Sequence, residues 1–171
     1  KNVALTAASP IESRSSSYGL LLQEVMTINK YLKAILGLRY SYGSSISATS
    51  AGPTTGSAWN PMAGVMVSPI ENINLFGSYT TTTNLRSASN KMSNGEEIGP
   101  SDTRQVEVGI KSDWLDNRLR FNLTYFDIIT ENLSKTEYVP GTNTVTGYYI
   151  KAGDLLRNGV EVELNGRPLP N

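Results

Sequence analysis

From Thr103 to Ile128 apolar and polar residues alternate in two runs separated by a short break. Val106, Val108 and Ile110 alternate with Gln105, Glu107, Gly109 and Lys111. After Leu115-Asp116-Asn117, Leu119, Phe121, Leu123 and Tyr125 alternate with Arg120, Asn122 and Thr124. A period of two puts each apolar set on one face of an extended chain, so the stretch predicts two antiparallel strands joined by a tight turn. Each arm is about ten residues long, the length at which a tilted strand crosses a bilayer, although a soluble sheet alternates in the same way.

The same pattern recurs along the chain. Tyr18 to Ile28 places Tyr18, Leu20, Leu22, Met26 and Ile28 on one face, with Glu24 as a misfit among them. Leu32 to Ser44 alternates Ala34, Leu36, Leu38, Tyr40 and Tyr42 with Ile35, Gly37, Arg39, Ser41 and Gly43. Trp59 to Ser68 and Ile73 to Thr83 supply a third and a fourth strand. The Thr103–Ile128 hairpin gives the fifth and sixth, the sixth continuing toward Tyr138. A seventh runs from about Thr146 to Asn165, where Val160, Val162 and Leu164 alternate with Glu161 and Glu163. Lys1 to Ser17 carries Val3-Ala4-Leu5 and turn formers and predicts no firm element.

The connections sort into two kinds. Those near Asn29, Glu71, Asp116 and Arg167 are short, and those at Ser44–Ser57, Asn84–Asp102 and Asn132–Val145 are long, in alternation. Short turns on one rim and long loops on the other are the asymmetry of an outer-membrane barrel. Tyr18, Tyr40, Tyr42, Tyr79 and Tyr125 near strand ends suit an aromatic girdle. The opposite face carries Gln23, Arg39, Gln105, Glu107, Lys111, Arg120, Glu161 and Glu163, which a wet or plugged interior would accept.

Composition narrows the chemistry. Of 171 residues 39% are apolar and 18% charged, and 15 basic residues balance 15 acidic ones, so nothing favours nucleic acid as a partner. No cysteine is present for disulfides or thiolate chemistry, and no histidine for a Ser-His-Asp triad or a His-rich zinc site. No apolar run reaches the roughly 18 residues of a membrane-spanning helix. The polar, Ser-rich start is not a signal peptide. The Gly-rich stretches lack a following Lys-Ser/Thr, which excludes a phosphate-binding loop, and Asp116-Asn117 is a turn former first. Glu161 and Glu163 share a face, but no further ligands nearby support a metal site or paired-carboxylate chemistry.

Five stretches carry a family resemblance: YGLLLQ (Tyr18–Gln23), LGLRYS (Leu36–Ser41), NPMAGVMVSPIENINLFGSY (Asn60–Tyr79), RQVEVGIKSDWLDNRLRFNLTYFDI (Arg104–Ile128) and NGVEVELNGRP (Asn158–Pro168). In this order and spacing the chain resembles the later barrel region of TonB-dependent outer-membrane siderophore receptors, the ferric-hydroxamate or ferrichrome-type branch in particular. It departs from the family at Gly99-Pro100-Ser101-Asp102, where a basic-Pro-acidic step is usual. The resemblance implies an all-β, antiparallel up-and-down transmembrane β-barrel, of which residues 1–171 are a portion of about seven strands out of about 22. The plug domain and the last strands are expected not to be present in this chain.

The resemblance further implies a bacterial outer-membrane receptor without catalytic residues and without a cofactor of its own. Its transported ligand would be a ferric siderophore, bound by extracellular loops and the plug. Its partners would be that plug, TonB and outer-membrane lipid. Trp59, Tyr138, Tyr148 and Tyr149 become candidates for contacting the chelate, since aromatic faces suit an apolar chelate surface; the membrane interface is the commoner place for any one of them. Arg39, Glu107, Lys111, Arg120, Glu161 and Glu163 become candidates for facing the plug, or for a static network on a wetted wall. Two other classes compete: a soluble β-sandwich module binding carbohydrate, and an outer-membrane barrel enzyme such as a lipase or protease.

Overall fold

A computed structural model describes residues 13–47, 52–85 and 90–167. Seven strands form one antiparallel sheet in chain order: β1 (Ser13–Asn29), β2 (Leu32–Ser47), β3 (Thr54–Ile70), β4 (Ile73–Asn84), β5 (Ser101–Trp114), β6 (Leu119–Tyr138) and β7 (Val145–Gly166). Among the described residues every strand pairs only with its neighbours in sequence, and β1 and β7 each keep one unpaired edge. Among the described residues the only buried hydrophobic side chain is Ile98. A β-sandwich is thereby excluded, because its two inner faces would bury a common core.

Reading across the register, the outward rows are almost wholly apolar. Ala34, Val65, Gly77, Val108, Tyr125 and Val160 form one row, and Leu32, Val67, Leu75, Ile110, Leu123 and Val162 the next. Leu22, Leu36, Val65, Val108, Val160 and Leu164 are all exposed. On the other face, from Met62 through Phe76 to Gly109, residues of β3 to β5 are half-buried although no second layer covers them. Side chains that screen one another on one face and splay on the other place the polar face on the concave side of a curved sheet.

The upper edge of the belt gives the tilt. On each strand the last apolar outward residue before a polar one is Tyr18, Tyr42, Trp59, Tyr79, Val106, Tyr125 and Val160, from β1 to β7. Tyr18 pairs with Tyr42, Trp59 lies two residues below Tyr42, Tyr79 and Val106 four lower, and Tyr125 two lower again. Val160 is level with Tyr125, so the edge falls eight residues over six inter-strand steps; at about 3.4 Å per residue and about 4.8 Å per step this is a slope of about 43°. Barrel strands tilt by about 35–45°. Aromatic residues close the belt on five of these strands, and Trp114 and Tyr31, missing from the sequence-based girdle, stand exposed near the opposite edge.

Three expectations need correction. Ser13–Ser17 belongs to β1, while residues 1–12 lie outside those described. β2 and β3 extend into the expected Ser44–Ser57 loop, leaving residues 48–53 as the connection. Most of Asn132–Val145 is strand, and only residues 139–144 connect β6 to β7. The reason is common to all three: alternation of apolar residues marks only the apolar belt, whereas backbone pairing continues past it with Ser and Thr. The two rims still differ, with residues 30–31, 71–72 and 115–118 on one and 48–53, 85–100 and 139–144 on the other.

Candidate functional site

The concave face is built from large side chains laid across glycines. Met62 lies over Gly37, Ile35 over Gly64, Phe76 over Gly109 and Phe126 over Gly159, each pair being register partners on adjacent strands. Lys111 Nζ sits 4.7 Å from the centre of the Phe76 ring, a cation over an aromatic face. Val25, Ile35, Gly64, Met66 and Phe76 line a pit of about 250 Å³, with Lys33 and Lys111 at its margin.

All six charges expected on the inner wall share this face by register. Arg39 Nε donates to Ser41 Oγ at 3.2 Å, and Gln105 Nε2 donates to Glu107 Oε1 at 2.6 Å. Arg120 Nε donates to Asp113 Oδ1 at 2.8 Å. Glu163 accepts from Asn122 Nδ2 at 2.8 Å and from Asn165 Nδ2 at 2.6 Å. Glu161 has no such partner among the described residues. The structure thus joins Arg39, Glu107, Arg120 and Glu163 to neighbouring polar side chains rather than to one another, and among the described residues no cluster of His, Cys, Asp or Glu could hold a metal ion. Lys33 and Asp113 also lie on this wall; strand parity with Arg39 and Lys111 is the signal that would have found them.

The aromatic candidates separate by height. Trp59 is outward, 62% exposed, and its ring centre stands 4.7 Å from that of Tyr40, at the upper edge of the belt. Tyr138 ends β6 thirteen residues beyond Tyr125, and Tyr148 and Tyr149 lie on the facing part of β7, so all three stand far above the belt. With 20 and 22 residues, β6 and β7 are about twice the length that spanning requires. Residues 90–100 lean on this extension. Tyr149 N donates to Lys91 O at 2.9 Å, and Asn132 Nδ2 donates to Pro100 O at 2.7 Å. Asn132 adopts a left-handed φ of 56°, and its N–H is met by Asp154 Oδ1 at 3.0 Å.

A family model described as "TonB dependent receptor-like, beta-barrel" matches residues 2–169. The ferripyoverdine receptor of Pseudomonas aeruginosa is 26% identical over 113 residues, 64% of this chain. The metal-pseudopaline receptor of the same species is 24% identical over 158 residues, 86% of this chain. The chain spans 14% and 21% of the lengths of these two relatives. A crystal structure of the ferripyoverdine receptor of the P. aeruginosa outer membrane, bound to ferripyoverdine, superposes with a TM-score of 0.80 at 21% identity, covering 94% of this chain and 22% of that one.

Proposed function

Since the chain belongs to the TonB dependent receptor-like β-barrel family, we propose that the complete protein is an outer-membrane receptor that takes up a ferric siderophore, energised through TonB. Residues 1–171 are then a portion of its barrel domain, completed by further strands and by a plug. The observation that carries this reading is the pairing of a tilted outward belt with a polar concave wall, joined to relatives that are receptors rather than enzymes.

The parts take distinct roles. The belt faces hydrocarbon and Trp59 anchors β3 at the interface, where an amphipathic ring is most stable. Tyr138, Tyr148 and Tyr149, on the arm that rises above the membrane, contact the chelate. The inner wall faces the plug: Arg39, Glu107, Lys111, Arg120, Glu161 and Glu163 offer hydrogen bonds, and the pit beside Lys33 receives an apolar side chain. Contacts of this kind hold a plug in register yet are individually weak enough to release when it is pulled. The chelate is of the hydroxamate type, a choice that rests on the resemblance of the strand sequences to the ferrichrome branch.

Uptake of radiolabelled iron by cells lacking the gene, with and without the intact gene restored, tests this. Loss of uptake for one hydroxamate chelate is the expected result. Unchanged uptake of every ferric siderophore would rule out iron transport, and loss confined to a chelate of another class would rule out only the hydroxamate assignment.

A further inference from the structure

Glu24 is the one charged side chain among the described residues that stands on the outward face inside the apolar belt. On β1 that face runs Tyr18, Leu20, Leu22, Glu24, Met26, Ile28, which puts the carboxylate near mid-height. Other outward charges, such as Arg14, Asp102, Arg104, Asp127 and Glu131, lie beyond the belt's upper edge on β1, β5 and β6. Arg104 and Glu131 moreover pair with each other at 3.2 Å. Within the sheet Glu24 is opposite Leu36, and its outward neighbours Leu22, Met26, Ala34 and Leu38 offer it no hydrogen bond. A carboxylate left in this way against hydrocarbon is destabilising.

The second observation concerns the backbone of the same strand. Among the described residues β1 pairs with β2 alone, so its other edge presents N–H and C=O groups that lipid cannot satisfy. A strand laid along that edge answers both deficits at once. We infer that the strand sealing β1 in the complete barrel carries a Lys or Arg on its outward face opposite Glu24, forming an ion pair within the lipid belt. Opposed side chains in an antiparallel pair stand about 4.5–5.5 Å apart at Cβ, well within reach of a carboxylate and a cation. Low dielectric makes the pairing strong and the unpaired alternative costly, so the pair fixes the register of this seam: a slip of one residue turns one partner to the other face. The inference rests on the barrel reading above.

The test compares thermal unfolding midpoints of the complete receptor, reconstituted in bilayers, as wild type, Glu24→Leu and Glu24→Gln. With a cation opposite, Leu strands that cation in hydrocarbon and lowers the midpoint by several degrees, and Gln lowers it less. Should Glu24→Leu fail to assemble, the sign of the Glu24→Gln shift decides. A higher midpoint in either variant would mean that Glu24 meets lipid alone and would overturn the seam, as would no shift in both. A fall that accompanies loss of an oligomer would assign the cation to a second molecule and also overturn it. The barrel reading fails separately, if the wild-type protein is recovered in the soluble fraction.

Discussion

Arginine at position 110 should largely prevent the complete receptor from persisting as a folded barrel in bilayers. Ile110 sits midway along the outward face of β5, between Val108 and the girdle residue Trp114, with Leu75 and Leu123 as register partners on either side. A guanidinium there meets hydrocarbon with no acid within the row, and a basic residue at the midplane of a barrel's lipid face costs about 2–4 kcal/mol. That is a large fraction of the stability of an ordinary domain. Thr124→Arg provides the contrast. Thr124 precedes Tyr125 in the chain but faces the concave side, opposite Glu161, which has no hydrogen-bond partner among the described residues. Urea unfolding of both variants in vesicles should show Ile110→Arg strongly destabilised and Thr124→Arg near wild type.

Gly109→Ala should be the most damaging small substitution on the inner wall. A Cβ at this position would stand 2.6 Å from Phe76 Cε1 and would also run into the backbone oxygen of Leu123. Phe76 can swing away, but the carbonyl belongs to the β5–β6 ladder and moves only if the rung opens. We expect a loss at the upper end of the about 1–3 kcal/mol typical of overpacking. Removing the aromatic ring separates the two contacts: Phe76→Ala alone should be mild, and the double variant should remain as unstable as Gly109→Ala. Recovery in the double variant would show that the ring, and not the backbone, sets the limit. The band shift between unheated and boiled samples in detergent gel electrophoresis reads the folded fraction directly.

Much of this architecture is legible from the chain because a sheet wetted on one face and oiled on the other writes its period of two into the sequence. Val106, Val108 and Ile110 show it most plainly, and their register partners repeat it on every strand. The strand ends are not legible in the same way. Ser13–Ser17 and Ser44–Ser47 lie beyond the apolar belt, where backbone pairing continues and side-chain choice relaxes, so residues that resemble a loop are strand. The tilt was equally hidden, since it appears only once Tyr18, Trp59 and Tyr125 are compared across the register. On the inner wall, parity alone placed Arg39, Glu107, Lys111, Arg120, Glu161 and Glu163 together. It could not show that Glu163 is held by Asn122 across the strand, or that Arg120 turns to Asp113 rather than to either glutamate. Trp59 illustrates the remaining limit: an aromatic residue near a loop suits either a ligand or an interface, and its height on the strand separates the two only when neighbouring strands supply the scale.

The belt itself is open to a direct measurement. This chain contains no cysteine, so once any cysteine elsewhere in the receptor has been replaced, single cysteines can be placed one at a time from Gln105 to Ser112 and spin-labelled in the vesicle-embedded protein. Collision with oxygen, which concentrates in hydrocarbon, should peak at positions 106, 108 and 110. Collision with a water-soluble relaxation agent should be low at those positions and, wherever the plug leaves the wall wet, higher at 105, 107 and 109. Oxygen and aqueous accessibilities that rise and fall together, or outward positions shielded from both, would show those side chains in water or against protein instead of lipid, and the barrel account would be wrong.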